Sequence, residues 1–211
     1  MKVCIEVGFH MSDKPADIVA SGTPESGPRE RMILHAADLI GRDGVAATSI
    51  GDVIAASKAP RGSIYHHFPG GKTQLMTEAV RYAGDFIADR IGGQRPGSAA
   101  EVVTGIGGVW RRMLVDSDYQ FGCPVLAGGL ARRSESAVAD ESAEIFAYWL
   151  RLISGRLVSE GVAADRADSL ANLIVAAVEG AVGLCQTQRS VEPLDRVITE
   201  LARMCDEYAG R

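Results

Sequence analysis

The stretch from Thr48 to Lys72, TSIGDVIAASKAPRGSIYHHFPGGK, constrains this chain more than any other. Thr48 and Ser49 follow a break at Gly44 and offer side-chain oxygens that can cap a helix start. Ile50, Val53 and Ile54 recur at i, i+3 and i+4, which gives the first helix one apolar face. Ala55 and Ala56 suit a close helix contact. Ser57-Lys58-Ala59 reads as a turn, and Pro60 fits the first turn of a second helix, where a missing N–H costs least. Ile64 and Phe68 anchor that helix, and Pro69-Gly70-Gly71 stops it. Two short helices about a tight turn form the layout of a DNA-reading helix-turn-helix.

The residue types suit that work. Arg61 can form a bidentate contact to guanine, Gly62 lets the backbone approach closely, and Ser63 can bond to a base edge or a phosphate. Thr48, Tyr65 and His66 have tips suited to phosphate, Ser49 lies beside them, and Lys72 opens the next helix as a further clamp. The plainer reading is a helical hairpin with a solvated basic face.

Charge is distributed in the same sense. The chain of 211 residues has a formal net charge of −5, yet residues 28–81 carry seven basic and five acidic side chains. Residues 82–211 carry thirteen and eighteen. Positive charge gathers on the reader, and the acidic remainder limits non-specific DNA binding.

Apolar spacing elsewhere is helical, with no strand pattern, repeat or low-complexity tract. Helices are expected at about 28–42, 71–92, 98–116, 135–159, 165–189 and 193–209, with a short one after Pro124. Together with the two of the hairpin they make nine in an all-α chain. Residues 1–27 have no helical period and read as a disordered arm. Residues 28–75 then form the reader and 76–211 a helical domain, with Pro96-Gly97-Ser98 the strongest break in between. Gly180 and Gly183 inside a helix imply close packing. The apolar stripe over 194–208 is wider than one small subunit core needs, which points to a homodimer on the last two helices.

Several chemistries are set aside. Gly71-Lys72-Thr73 resembles the end of a phosphate-binding loop, but His66 stands where that loop needs glycine, and a helix precedes it. His66 and His67 are adjacent and should diverge on a helix. No GxSxG, HExxH or paired CxxC occurs. An enzyme is not expected, nor a metal or cofactor. Cys4, Cys123, Cys185 and Cys205 are too sparse for a disulfide framework, which favours a reduced cytoplasmic protein. Cys123 is either a small buried hydrophobe or a redox sensor. No apolar run is expected to reach the length of a membrane span.

The segments TSIGDVIAASKAPRGSIYHHF and PGGKTQLMTEAV resemble the second to fourth helices of the TetR family of bacterial transcriptional repressors. APRGSIYHHFPGGK and the later Phe121-Gly122-Cys123-Pro124 resemble its LmrA/YxaF-type subgroup. The resemblance implies a three-helix reader, a C-terminal ligand and dimerisation domain, and a near-palindromic DNA operator released by a small hydrophobic ligand. The pocket it implies could be lined by Phe86, Trp110, Met113, Phe121, Phe146 and Trp149, with Asn172 and Glu179 as polar anchors. The reading from another class is a helical-bundle binding protein or enzyme that carries an incidental helix-turn-helix.

Overall fold

The computed structural model describes residues 27–93 and 97–210, and of Arg61 the backbone alone. The expected arm over 1–27 therefore lies almost wholly outside the described residues, as do Cys4 and Pro96. The fold is all-α: nine α-helices and no strand among the described residues. In chain order they are α1 (Pro28–Ala47), α2 (Ile50–Ser57), α3 (Ile64–His67), α4 (Gly71–Gly92), α5 (Ala99–Asp116), α6 (Pro124–Leu130), α7 (Ser136–Ser159), α8 (Ala164–Gln188) and α9 (Glu192–Ala209).

α1 runs past its expected end at Arg42 to Ala47, but it is interrupted at Gly44, whose φ of 81° and ψ of 166° are not helical. The Thr48 hydroxyl donates to the Gly44 carbonyl at 2.8 Å and secures that break. α2 starts on a reciprocal cap: the Ser49 hydroxyl accepts from the Asp52 N–H, and the Asp52 carboxylate accepts from the Ser49 N–H. Lys58 ends it in the left-handed region at φ 52°. Val53, Ile64 and Phe68 turn inward as expected. Ala55 and Ala56 are exposed, so the anticipated close helix contact is not made there.

The second helix of the hairpin is tighter than its sequence suggested. Arg61–Ser63 form a 3-10 turn, and α-helix follows only at Ile64–His67. The Ser63 hydroxyl donates to the Pro60 carbonyl at 2.7 Å, a local bond of the kind that competes with helical geometry.

α4 is the spine. Leu75, Met76, Ala79, Val80 and Ala83 are fully buried, and the helix packs on α1 and α7. At 1.5 Å per residue its 22 residues span roughly 33 Å. It crosses α7 at Gly84, where a Cβ would stand 2.7 Å from Ile145 Cγ2. The buried Trp149 indole N–H donates to the Gly84 carbonyl at 3.1 Å.

α9 packs on α5 and α8. Part of its stripe is used within the subunit: Leu194, Leu201 and Cys205 are buried and Ile198 packs onto Gly107, while Val197 and Tyr208 are half-buried and Met204 is exposed. The outer face of α9 is charged instead, with Glu192, Asp195, Arg196, Glu200 and Arg203. α8 also leaves apolar surface uncovered: Leu173 and Leu184 are exposed, and a Cβ at Gly180 or Gly183 would meet open space. α8 is also, by length and composition, apolar enough to cross a membrane, contrary to the expectation from sequence.

Gly84→Ala tests the crossing. Helix propensity favours alanine by up to ~1 kcal/mol. Overpacking against Ile145 costs about 1–3 kcal/mol. The urea midpoint is expected to fall, and Ile145→Val in the same background should recover part of the loss. An unchanged or raised midpoint would show that the crossing tolerates a side chain.

Candidate nucleic-acid interface and ligand cavity

The hairpin gathers part of the expected reading set on one surface. Tyr65 is 67% exposed, and His66 and Gly62 are exposed beside it. Lys72 sits in the first turn of α4, half-buried. The Arg61 side chain, the expected guanine reader, lies outside the described residues. His66 and His67 do not diverge: their rings meet edge to face with centroids 5.1 Å apart.

Thr48 is placed differently from its expectation as a phosphate contact. It is buried and spends its hydroxyl hydrogen on the Gly44 carbonyl. The Ser49 hydroxyl donates to Asp52 Oδ2 at 2.6 Å, so both residues act first in shaping α2. These bonds hold the Asp52 carboxyl below its ordinary pKa. Ser63 is likewise engaged by the Pro60 carbonyl.

Ion pairing separates the basic residues further. Arg29 pairs with Glu78, Arg42 with Asp38, and Arg81 with Glu141. Lys58 and Lys72 make no ion pair among the described residues. Lys58, read from sequence only as a turn residue, is thereby an exposed ammonium at the bend of the hairpin. Its left-handed backbone, usual for glycine or asparagine, hid it from a search for helix-borne contacts.

The C-terminal helices form a cavity of about 490 Å³ between α6, α7 and α8 that is open to solvent. Its walls are Leu126, Phe146, Leu150, Val175, Ala176 and Gly180, and its polar residues are Asn172 and Glu179. Phe146, Asn172 and Glu179 thus come together as expected. Trp110, Met113, Phe121 and Trp149 do not line it: they are 2–5% exposed and fill the core. Phe86 is half-buried under Arg90, whose guanidinium carbon is 3.2 Å from the ring centroid. Trp149 nevertheless reaches the cavity through Phe146, meeting its ring edge to face at 5.3 Å.

Glu179 is the anomaly of this cavity. Its Oε2 is buried and no hydrogen-bond partner reaches it. Burial raises its pKa to about 7, against a smaller lowering by a hydrogen bond from the Cys123 thiol. Burial and the Glu179 charge in turn push Cys123 well above the usual thiol range, which disfavours the reactive thiolate.

Cys123 also belongs to a strap that sequence reasoning did not resolve. The Gly122 N–H donates to the Gly41 carbonyl of α1 at 2.9 Å. A Cβ on Gly41 would overlap the Phe121 ring at 2.5 Å. Arg42 donates to the Gln120 side chain at 2.8 Å. The segment 120–123 therefore joins the reader's first helix to the wall of the cavity. The glycine at 41, in the middle of an otherwise apolar-periodic helix, was the available signal.

Residues 33–79 match the family model of bacterial regulatory proteins of the TetR family. Residues 99–200 match the C-terminal domain of LmrA/YxaF-like transcriptional regulators. An uncharacterised helix-turn-helix transcriptional regulator of Mycobacterium tuberculosis is 39% identical over 184 residues, 84% of this chain and 94% of that protein. The regulator LmrA of Bacillus subtilis is 29% identical over 175 residues, 79% and 90% of the two chains. The solved TetR regulator from Legionella pneumophila aligns at a TM-score of 0.74 and 22% identity, over 86% of this chain and 99% of its own.

The buried carboxyl has a consequence for stability. Its folded pKa of about 7 exceeds the ordinary 4.5, so folding favours the protonated form. Its contribution is full below the unfolded pKa and is lost as pH rises through about 7. Glu179→Gln should therefore stabilise more at pH 8 than at pH 4.5, by ~3 kcal/mol. Denaturant melts at the two pH values measure it. An effect of equal size at both would mean that Glu179 is solvated.

Proposed function

The chain belongs to the TetR family of bacterial transcriptional regulators, in its LmrA/YxaF-like branch, and from that premise we propose that it is a homodimeric cytoplasmic repressor released from its operator by a small apolar ligand. The observation that carries the reading is the continuity along α4 from the reader to its middle. Lys72 stands at the reader, and Gly84 in mid-helix bonds to Trp149, which packs on the cavity residue Phe146. A ligand that favours one placement of Phe146 and Trp149 shifts α4, and the two reading helices of a dimer then no longer match successive grooves. A ligand binding both placements equally would change nothing.

On this reading residues 28–75 are the DNA-binding unit and 76–211 the ligand and dimerisation unit. Arg61 reads a base, while Tyr65, His66, Lys58 and Lys72 position the phosphate backbone. Thr48 and Ser49 support the reader from beneath. The dimer forms on the α8 face that carries Leu173, Gly180 and Leu184, since that surface is apolar, lined with small residues and uncovered. Two-fold symmetry in the protein calls for a near-palindrome in DNA.

Operator binding by fluorescence anisotropy across a salt series tests this. Lys72→Ala should weaken binding to all sequences and flatten the salt slope by about one unit. Arg61→Ala should cost roughly 1–3 kcal/mol and relax preference at one base pair. Operator affinity that planar apolar compounds leave unchanged while they bind the protein would overturn the release mechanism. A monomeric mass at micromolar concentration would overturn the dimer.

A further inference from the structure

The cavity is chemically one-sided. Glu179 is its one ionisable lining residue, and no lysine, arginine or histidine shares the wall. α7 and α6 contribute only apolar side chains to the lining, and α8 contributes the neutral amide of Asn172, whose N–H donates to the Asp168 carbonyl at 2.9 Å. The Cys123 thiol, at the start of α6, is the titratable group that bears on Glu179. The unpartnered Oε2 therefore has an acceptor lone pair inside the protein and nothing to receive from. Residues 82–211 as a whole carry eighteen acidic against thirteen basic side chains, so the surrounding field does not compensate.

Ligand classes can be ranked against that wall. An anion meets the carboxylate with no countercharge. A neutral hydrocarbon leaves Oε2 as unsatisfied as before, at the cost that any buried unpaired acceptor carries. A cation neutralises the buried charge; a protonated amine also donates an N–H to the acceptor, whereas a quaternary ammonium acts through its charge alone. The aromatic surface of Phe146 adds attraction for positive charge. The remaining lining of Leu126, Leu150 and Val175 requires that the rest of the molecule be apolar.

We propose that the cavity takes an apolar cation, a protonated amine or quaternary ammonium attached to a hydrophobic body, with its positive charge against Glu179 and its body along α6 and α7. This rests on the reading of the cavity as the regulatory ligand site and names the chemistry of its ligand. Glu179 is then the residue that selects charge, and Leu126, Phe146 and Leu150 select shape.

The test uses matched probes: phenylalkyl trimethylammonium ions and their neutral tert-butyl isosteres, which have nearly the same volume. Binding to the full-length protein is measured by calorimetry, in wild type and in Glu179→Gln, with circular dichroism checking the fold of the variant. The cation is expected to bind wild type at least about tenfold tighter than its isostere. In Glu179→Gln that preference should vanish, with the isostere bound as well as before or better. Equal binding of the two probes to wild type would overturn the charge selection and leave the cavity as a ligand site. A preference that persists in Glu179→Gln would overturn the role of Glu179. Failure of both probes to bind at millimolar concentration would overturn the inference and the ligand-site reading together.

Discussion

The hydrogen bond from the Trp149 indole to the Gly84 carbonyl fixes where the two longest-range parts of this molecule meet. It lies in mid-α4, inside a contact so close that glycine is the side chain that fits against Ile145. On the reader's side of that crossing α4 is tied to α1 by the Arg29–Glu78 pair, and it is tied to α7 by Arg81 and Glu141. Both pairs are partly exposed, so each contributes little to stability. The buried contact holds the crossing, and the partly exposed pairs flank it. A motion of α7 cannot slide along α4 past this point without breaking the indole bond and forcing Ile145 off its seat.

A second connection runs parallel to α4. The strap from Gln120 to Cys123 is bonded to Gly41 and Arg42 of α1 at one end, while at the other Cys123 lies close enough to Glu179 of α8 to influence its ionisation. α6, which begins at Pro124, also packs directly on α1. The reader is thus not a module on a linker. Its first helix is part of the floor on which the C-terminal domain rests, and the cavity's one ionisable residue neighbours the strap that touches it. In the proposed mechanism the cavity and the reader are in contact by two routes, one through Phe146 and Trp149 to α4 and one through the strap at Cys123 to α1.

The sequence displayed the helices well because their signals are local. Ser49 with Asp52, Pro60, Pro69 to Gly71, and apolar residues at i and i+4 each act within one turn, and α4 and α5 fall within a residue of their expected bounds. The pocket was less legible, because periodicity tells which face of a helix is apolar and not whether that face meets another side chain or a void. Trp110, Met113, Phe121 and Trp149 satisfy the same pattern as Phe146, and only packing in three dimensions fills the space beside the first four. Glu179 stood out for a different reason: a carboxylate inside Ala176 to Ala181 violates the local pattern, and such violations mark places where tertiary structure or function outweighs stability. The apolar stripe of α9 is shared between neighbours: Leu194, Leu201 and Cys205 face α5 and α8, while Val197, Ile198 and Tyr208 stay half-buried and Met204 is exposed.

α8 explains why one helix can look like a membrane span in a chain organised as a regulator. Its inner face, with Leu170, Ile174, Val178 and Val182, is core. One flank, with Val175 and Glu179, lines the cavity. The opposite face presents Leu173, Gly180, Gly183 and Leu184 to open space. A helix that must be apolar for three different neighbours keeps most of its charge in its first turns, at Asp165, Arg166 and Asp168, and an 18-residue stretch of it reaches a mean hydropathy of 1.5. Ala176 and Gly180 belong to two of these surfaces at once, since both are exposed and both border the cavity. In the proposed dimer the partner's α8 would lie against the same small residues. Closure of the dimer and enclosure of the cavity then become one event, which puts Glu179 out of reach of water and strengthens every electrostatic contact that it makes with a bound cation.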